Sequence, residues 1–219
     1  MIQRTEKHKI DQIEVLRKKL RADQSLIELT DLKSGQTKMT SIGTEAKKSA
    51  STAKFGSFLS LLIKMVNAQS VLETGTSLGL TTGYLATHPA QVTSIEGSYT
   101  MARMAQKHFD ALGYQNIEQV CGDLYEVLEG AIVKNSPDFY FLDADHRSTA
   151  VAFCIDLILR HTPTTKCIVI HDIYWSSDMK RIWHSLVQDP RFTLSIDLFQ
   201  AGLLFPTLHM EKQHFTLHF

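Results

Sequence analysis

Two groups of residues in this 219-residue chain have the types and spacing that chemistry requires. The first is an acid followed by two glycines, Glu73-Thr74-Gly75-Thr76-Ser77-Leu78-Gly79, directly behind the apolar run at Val71 and Leu72. Glycines at such a turn let the backbone approach a ligand closely. A helix starting there offers free N–H groups. Acids recur at the same relative place twice more, in Ile95-Glu96-Gly97 and Cys121-Gly122-Asp123. A carboxylate after a second strand can accept hydrogen bonds from both hydroxyls of a ribose. An acid after a third strand is placed to meet an adenine amino group. The second group combines acids and histidines: Asp143 and His146 in Leu142-Asp143-Ala144-Asp145-His146, and His171 and Asp172 in Ile170-His171-Asp172-Ile173. A histidine is a competent general base near neutrality, and a carboxylate can orient it.

The glycine turn discriminates among nucleotides. A dinucleotide fingerprint, GxGxxG, needs glycine two positions after Gly75, and Ser77 stands there. No GxxxxGK[ST] phosphate loop is present either. S-adenosylmethionine has no pyrophosphate; it has a cationic sulfonium and an amino-acid tail. A carboxylate such as Glu73 suits the tail's ammonium and would serve a diphosphate poorly. The expected cofactor-binding set is therefore Glu73, Gly75, Thr76, Ser77, Gly79, Glu96, Gly97 and Asp123, with Asp143 beside them. The expected catalytic set around a methyl acceptor is Asp143, His146, His171 and Asp172. Tyr174 and Trp175 follow directly and form either an aromatic wall for a planar substrate or packing beside the fifth strand. Two other readings use the same residues. A nicotinamide oxidoreductase shares the fold but predicts the missing glycine, and a non-catalytic binding module predicts no turnover.

These residues need a frame. Ile10, Ile13, Leu16 and Leu20 have helical spacing, which predicts a helix over 10–29, and the polar stretch 30–43 reads as a loop. Phe55, Phe58, Leu59, Leu62, Ile63 and Val66 mark a second helix with a core-facing stripe. Thereafter strands (70–73, 91–96, 117–121, 138–142, 167–171) alternate with helices (78–88, 99–112, 124–133, 149–160, 178–187). Two strand-like runs, 192–199 and 202–205, follow with no helix between them. This predicts an α/β fold: a doubly wound, Rossmann-like, seven-stranded sheet, mostly parallel, with an antiparallel C-terminal hairpin at one edge and added N-terminal helices. Residues 213–219 alternate and are expected to extend an edge. Residues 1–53 read as an N-terminal arm or lid, and 54–219 as the S-adenosylmethionine-binding domain.

Composition narrows the partners. Lys plus Arg and Asp plus Glu number 23 each, so no basic excess points to nucleic acid. No base-flipping Asn/Asp-Pro-Pro-Tyr/Phe motif occurs. Three isolated cysteines, Cys121, Cys154 and Cys167, suggest a reducing compartment. The polar, charged N-terminus is no signal peptide, and no run of about 18 apolar residues predicts a membrane span. Cytoplasm is the expected location.

Taken together, these motifs resemble the class I S-adenosylmethionine-dependent methyltransferases, and more narrowly the small-molecule O-methyltransferases of the caffeoyl-CoA and catechol type. The resemblance runs over roughly 54–206. It is carried by Phe55-Gly56-Ser57-Phe58-Leu59 leading into ETGTSLG, by Leu142-Asp143-Ala144-Asp145-His146 and by Ile170-His171-Asp172-Ile173. It implies a cofactor cleft along Glu73, Gly75, Thr76, Ser77, Gly79, Glu96 and Asp123, a small-molecule hydroxyl as acceptor, pairing into a homodimer, and an N-terminal segment that covers the site. It also implies a divalent cation held by the strand-four Asp and a strand-five Asp-Asn pair. Asp143 and Asp172 match that set, but Ile173 stands where the Asn oxygen belongs. His146 or His171 would have to complete the site, and imidazole with carboxylates favours a transition metal. His146 also replaces the lysine that these relatives carry near the acceptor hydroxyl.

Overall fold

The computed structural model describes residues 4–30, 35–48, 51–207 and 210–218. The N-terminal part holds α1 (Arg4–Ala22), an antiparallel pair β1 (Leu26–Thr30) and β2 (Thr37–Ser41), and α2 (Ile42–Lys48). After α3 (Ala53–Met65) come β3 (Ser70–Thr74), α4 (Leu80–Leu85), β4 (Gln91–Glu96), α5 (Tyr99–Ala111), β5 (Ile117–Cys121) and α6 (Leu124–Asn135). The chain continues through β6 (Phe139–Leu142), α7 (Ser148–His161), β7 (Cys167–His171), α8 (Ser177–Gln188), β8 (Leu194–Asp197), β9 (Ala201–Phe205) and β10 (Gln213–Thr216).

The main sheet has the order β10-β8-β9-β7-β6-β3-β4-β5. β3 to β7 run parallel, β9 is antiparallel to β7 and β8, and β10 lies parallel to β8. Alternation along the strands sends Val71, Phe139, Phe141 and Val169 into one core with Phe55, Leu59, Ile63 and Phe109. Leu72, Tyr140, Ile168 and Ile170 go to the opposite face, against Leu128, Ile132, Ile155, Ile158 and Trp183. From β3 the chain passes to β4 on one side, while β6 pairs with β3 on the other. The carboxyl ends of β3 and β6 therefore border the switch point, where open α/β sheets bind ligands.

The α/β fold with its mostly parallel sheet and C-terminal antiparallel hairpin is as expected, with three differences. The sheet has eight strands rather than seven, because β10 pairs with β8 and moves the β8–β9 hairpin inward from the edge. The helix expected over 10–29 stops at Ala22: the Asp23 carboxylate accepts from Ser25 N–H at 2.8 Å, turning the chain into β1. The loop expected over 30–43 contains β2, whose pairing with β1 in the register Ile27↔Thr40 outweighs its polar composition; 31–34 lie outside the described residues. The N-terminal elements pack on the rest of the chain. Ile13, Leu20, Leu29, Ile42 and Ala46 share a core with Leu78, Leu80, Tyr84 and Met101. Among the described residues no helix is long and apolar enough to cross a membrane.

Candidate active site

The turn after β3 is built by left-handed backbone. Gly75 (φ +95°), Ser77 (φ +49°) and Gly79 (φ +79°) all have positive φ. Gly75 and Thr76 N–H both donate to Ile95 O, at 2.9 and 3.2 Å, which pins the loop to β4. A Cβ at Gly75 would lie 2.8 Å from Asp143 O, and one at Gly79 2.5 Å from the Phe109 ring. Only glycine brings these surfaces together. At the end of β4, the Glu96 carboxylate accepts Ser77 N–H at 2.7 Å and Ser98 N–H at 2.8 Å. Burial raises its pKa above the ordinary value, and the backbone N–H donors oppose that shift.

Gly75, Ser77 and Glu96 line a cleft of about 290 Å³, together with Asp143, His146, His171 and Asp172. The other walls are Lys48 from α2, Ser51 and Thr52 before α3, and Gln200 from the β8–β9 turn. Sequence reasoning missed these four. Thr52 had a usable signal, since its hydroxyl caps α3 by accepting Phe55 N–H at 3.2 Å. Ser51 Oγ is buried and has no hydrogen-bond partner among the described residues. Gln200 carried no signal, because the turn delivers it from distant sequence.

The remaining expected cofactor residues lie around the cleft, not in its wall. Glu73 is fully buried beneath the turn. Its Oε2 accepts from Thr82 Oγ1 at 2.5 Å and Ser94 Oγ at 2.6 Å, while Oε1 has no partner among the described residues. Burial pushes its pKa up to about 8; the two hydroxyls oppose the shift, and the charges of Asp143 and Glu96 add to it. Thr76 is buried, with Oγ1 2.5 Å from Ser94 Oγ. Gly79 caps α4, and Gly97 has open space around it. Asp123 caps α6, its carboxylate accepting Tyr125 N–H at 2.8 Å.

The four expected catalytic residues do come together. Asp143 N–H donates to Thr74 O at 3.0 Å, which ties the β6 end to β3. His171 Nδ1 donates to Asp143 Oδ1 at 2.8 Å, and its ring packs on Phe55 at 5.2 Å. Burial disfavours the charged form of His171, but the hydrogen bond that it donates to Asp143 and the charges of Asp143 and Asp172 outweigh it, so the pKa is raised. Asp172 (φ +54°) has Oδ2 3.7 Å from His171 Nδ1 and 3.8 Å from His146 Nε2. Donor atoms of Asp143, His146 and Asp172 all lie within 4.8 Å of one another. Ile173 is wholly buried in the core and offers no donor. Trp175 is 71% exposed, its ring 6.2 Å from that of His146. Tyr174 turns its hydroxyl away, to Asp197 Oδ2 at 2.6 Å.

A family model described as O-methyltransferase matches residues 10–195, and so takes in most of the N-terminal arm. Among solved structures, the chain is similar to the O-methyltransferase from Bacillus cereus in complex with SAH (18% identity, 90% of this chain and 89% of that one, TM-score 0.61). It is also similar to the O-methyltransferase TomG from Streptomyces achromogenes, involved in tomaymycin synthesis and in complex with SAM (18%, 73% and 82%, TM-score 0.60). A third likeness is to the SAH-bound Podospora anserina methyltransferase PaMTH1 (16%, 74% and 82%, TM-score 0.62). No curated protein matches the sequence significantly.

Proposed function

The chain belongs to the O-methyltransferase family, and from that membership we propose that its cleft carries the methyl group of S-adenosylmethionine to a hydroxyl of a small molecule. One observation carries the assignment: the glycine turn at Gly75 touches the backbone of Asp143, so the cofactor loop and the acid–imidazole cluster share one cleft. The SAM and SAH bound to TomG and to the Bacillus cereus protein support the cofactor.

Glu96, held by the N–H groups of Ser77 and Ser98, takes the ribose hydroxyls. Gly75, Thr76, Gly79 and Gly97 shape the backbone around the adenosyl group, and Asp123 meets the adenine amino group. Glu73 lies buried beneath the turn and outside the cleft wall, where its protonated carboxyl, bonded to Thr82 and Ser94, supports the turn rather than meeting the cofactor's positive charge. The acceptor sits among Asp143, His146, His171 and Asp172. The acceptor oxygen attacks the methyl carbon in line with the sulfur. The new C–O bond forms as the S–C bond breaks, the electron pair stays on sulfur, and His146 takes the hydroxyl proton. Holding oxygen and methyl in near-attack contact can supply up to ~7–11 kcal/mol. Residues 1–53 act as a lid, contributing Lys48, Ser51 and Thr52 to the wall.

The cation set expected from the family fails at Ile173, but Asp143, His146 and Asp172 offer a replacement that fits. One nitrogen and two carboxylates suit a borderline transition metal better than Mg²⁺. Bound there, such an ion would lower the proton affinity of the acceptor hydroxyl in place of a base, because His146 as a ligand would no longer be free to take the proton. The cytoplasmic setting and a homodimer belong to the same proposal; the free cysteines Cys121, Cys154 and Cys167 agree with a reducing compartment. Ile173 also favours a second reading, a module that binds the cofactor without turnover.

The test combines calorimetry of S-adenosylhomocysteine with methyl transfer to 3,4-dihydroxybenzoate. His146→Ala and Asp143→Ala are expected to lower kcat/KM by about 10²-fold or more, the usual scale of general-base loss. Adenosylhomocysteine affinity in His146→Ala stays within a few-fold of wild type. Unchanged transfer in both variants would remove the catalytic assignment, and absence of adenosylhomocysteine binding would remove the cofactor assignment. Cofactor binding without transfer supports the second reading.

A further inference from the structure

Asp197, the last residue of β8, is only 2% exposed, and all three groups bonded to it are neutral donors. Oδ2 accepts from Tyr174 Oη at 2.6 Å and from Trp183 Nε1 at 3.0 Å. Oδ1 accepts from Phe199 N–H at 2.8 Å. A carboxyl taken this far out of water is costly unless its hydrogen bonds are made. Three such bonds converging from three elements describe a junction.

The junction joins two segments that border the cleft. Tyr174 belongs to the β7–α8 loop, which begins with Asp172, and Phe199 belongs to the β8–β9 turn, which contains Gln200. The same two segments meet again where Asp172 N–H donates to Gln200 O at 2.7 Å, and where the rings of Tyr174 and Phe199 lie 6.0 Å apart. Each holds a non-glycine residue in left-handed backbone, Asp172 at φ +54° and Phe199 at φ +64°. Such conformations persist only where the surroundings over-determine them. Trp183, the third partner, is buried in the core beside Gly202 and does not line the cleft.

We infer that Asp197 is a positioning residue for the methyl acceptor: through the Tyr174 hydroxyl it fixes the loop that sets Asp172 and Trp175 at the mouth of the cleft. The inference rests on the methyltransferase reading of that cleft. Asp197 touches none of the reacting atoms. Its effect falls on the acceptor side, because the two segments it joins carry Asp172 and Gln200, whereas Glu96 on the cofactor side is held by Ser77 and Ser98 N–H.

Three variants test it. Tyr174→Phe deletes one donor and leaves the ring. Asp197→Asn keeps an oxygen for Tyr174 and Trp183 but sets an amide NH₂ against Phe199 N–H. Trp183→Phe deletes the other donor and perturbs only the core side. The readouts are kcat and KM for 3,4-dihydroxybenzoate, calorimetry of S-adenosylhomocysteine, and amide hydrogen exchange followed by mass spectrometry. Tyr174→Phe is expected to raise acceptor KM about five- to twenty-fold, with adenosylhomocysteine affinity within two-fold of wild type. Exchange should quicken over 172–176 and 198–200, with Asp197→Asn following in the same direction. Trp183→Phe should lower Tm and leave acceptor KM within two-fold. Unchanged exchange in 172–176 in Tyr174→Phe would overturn the inference whatever the activity shows. So would a parallel loss of acceptor and cofactor binding in all three variants, the mark of a purely structural role. A wild type that binds no adenosylhomocysteine sinks the methyltransferase reading instead, and the exchange result still decides whether Asp197 holds the loop.

Discussion

Glu73 is an acid that the folded chain keeps from ionising, with its pKa pushed up to about 8 from an ordinary 4.5. Below the ordinary value both folded and unfolded chains hold the proton. Between about 4.5 and about 8 the unfolded chain releases it while the folded one keeps it. Stability therefore falls as pH rises through that window, by up to ~1.4 kcal/mol per unit for this one group. Glu73→Gln lacks the slope, and its amide can still accept from Thr82 and Ser94. In urea unfolding at pH 5 and pH 8, the variant should gain on wild type by about 2–4 kcal/mol at the higher pH. An identical gap at both pH values would mean that Glu73 is ionised in the fold. Residues of the cleft wall such as Ser77, Glu96, Asp143 and Asp172 were legible because each lies at a strand end or in a glycine turn, and both features have a sequence signature; Glu73 shares that signature but is buried beneath the turn, outside the wall. Lys48, Ser51 and Gln200 were not legible, since residues distant in sequence reach the cleft only through the packing of α2, α3 and the β8–β9 turn.

At the scale of elements, the β3–α4 turn is where backbone shape and site geometry coincide. Gly75→Ala would require an alanine at φ +95° with its Cβ 2.8 Å from Asp143 O. The left-handed penalty of ~1–2 kcal/mol is then joined by displacement of a strand end. Expected outcomes are a stability loss of about 2–4 kcal/mol in denaturant unfolding and at least tenfold weaker adenosylhomocysteine binding. Wild-type affinity in this variant would show that the turn does not approach the cofactor. The strands and helices from β3 onward could be read because each buries a periodic face. The β1–β2 pair could not: Leu26–Thr30 has helix-compatible spacing next to α1, and only its partner Thr37–Ser41 makes it a strand. Pairing between segments is a property of two sequences, and neither one displays it alone.

On the scale of the whole molecule, the order of the strands reverses at the paired β3 and β6, and a ligand at their carboxyl ends bears on both halves of the sheet. Adenosylhomocysteine at about a hundred times its Kd should add ~2.7 kcal/mol to folding stability. For a chain of this size that is a rise in Tm of roughly 5–10 °C, readable by scanning calorimetry. No rise at saturating ligand would count against the cofactor site as a whole. The position of β10 was only partly legible: its alternation announced an edge strand, but its parallel pairing with β8 depends on the described return of the chain after β9. The docking of α1 on α4 bears on how such a chain can diverge. Gly83 faces Ile13 with only 3.3 Å left for a Cβ, and Tyr84 Oη reaches back to Glu14 at 2.5 Å. A side chain added at position 83 therefore needs Ile13 to shift or to be smaller, whereas a smaller residue at position 13 asks nothing of Gly83. Because α4 carries the glycine turn on its leading end, the fit of α1 against α4 and the placement of that turn are linked.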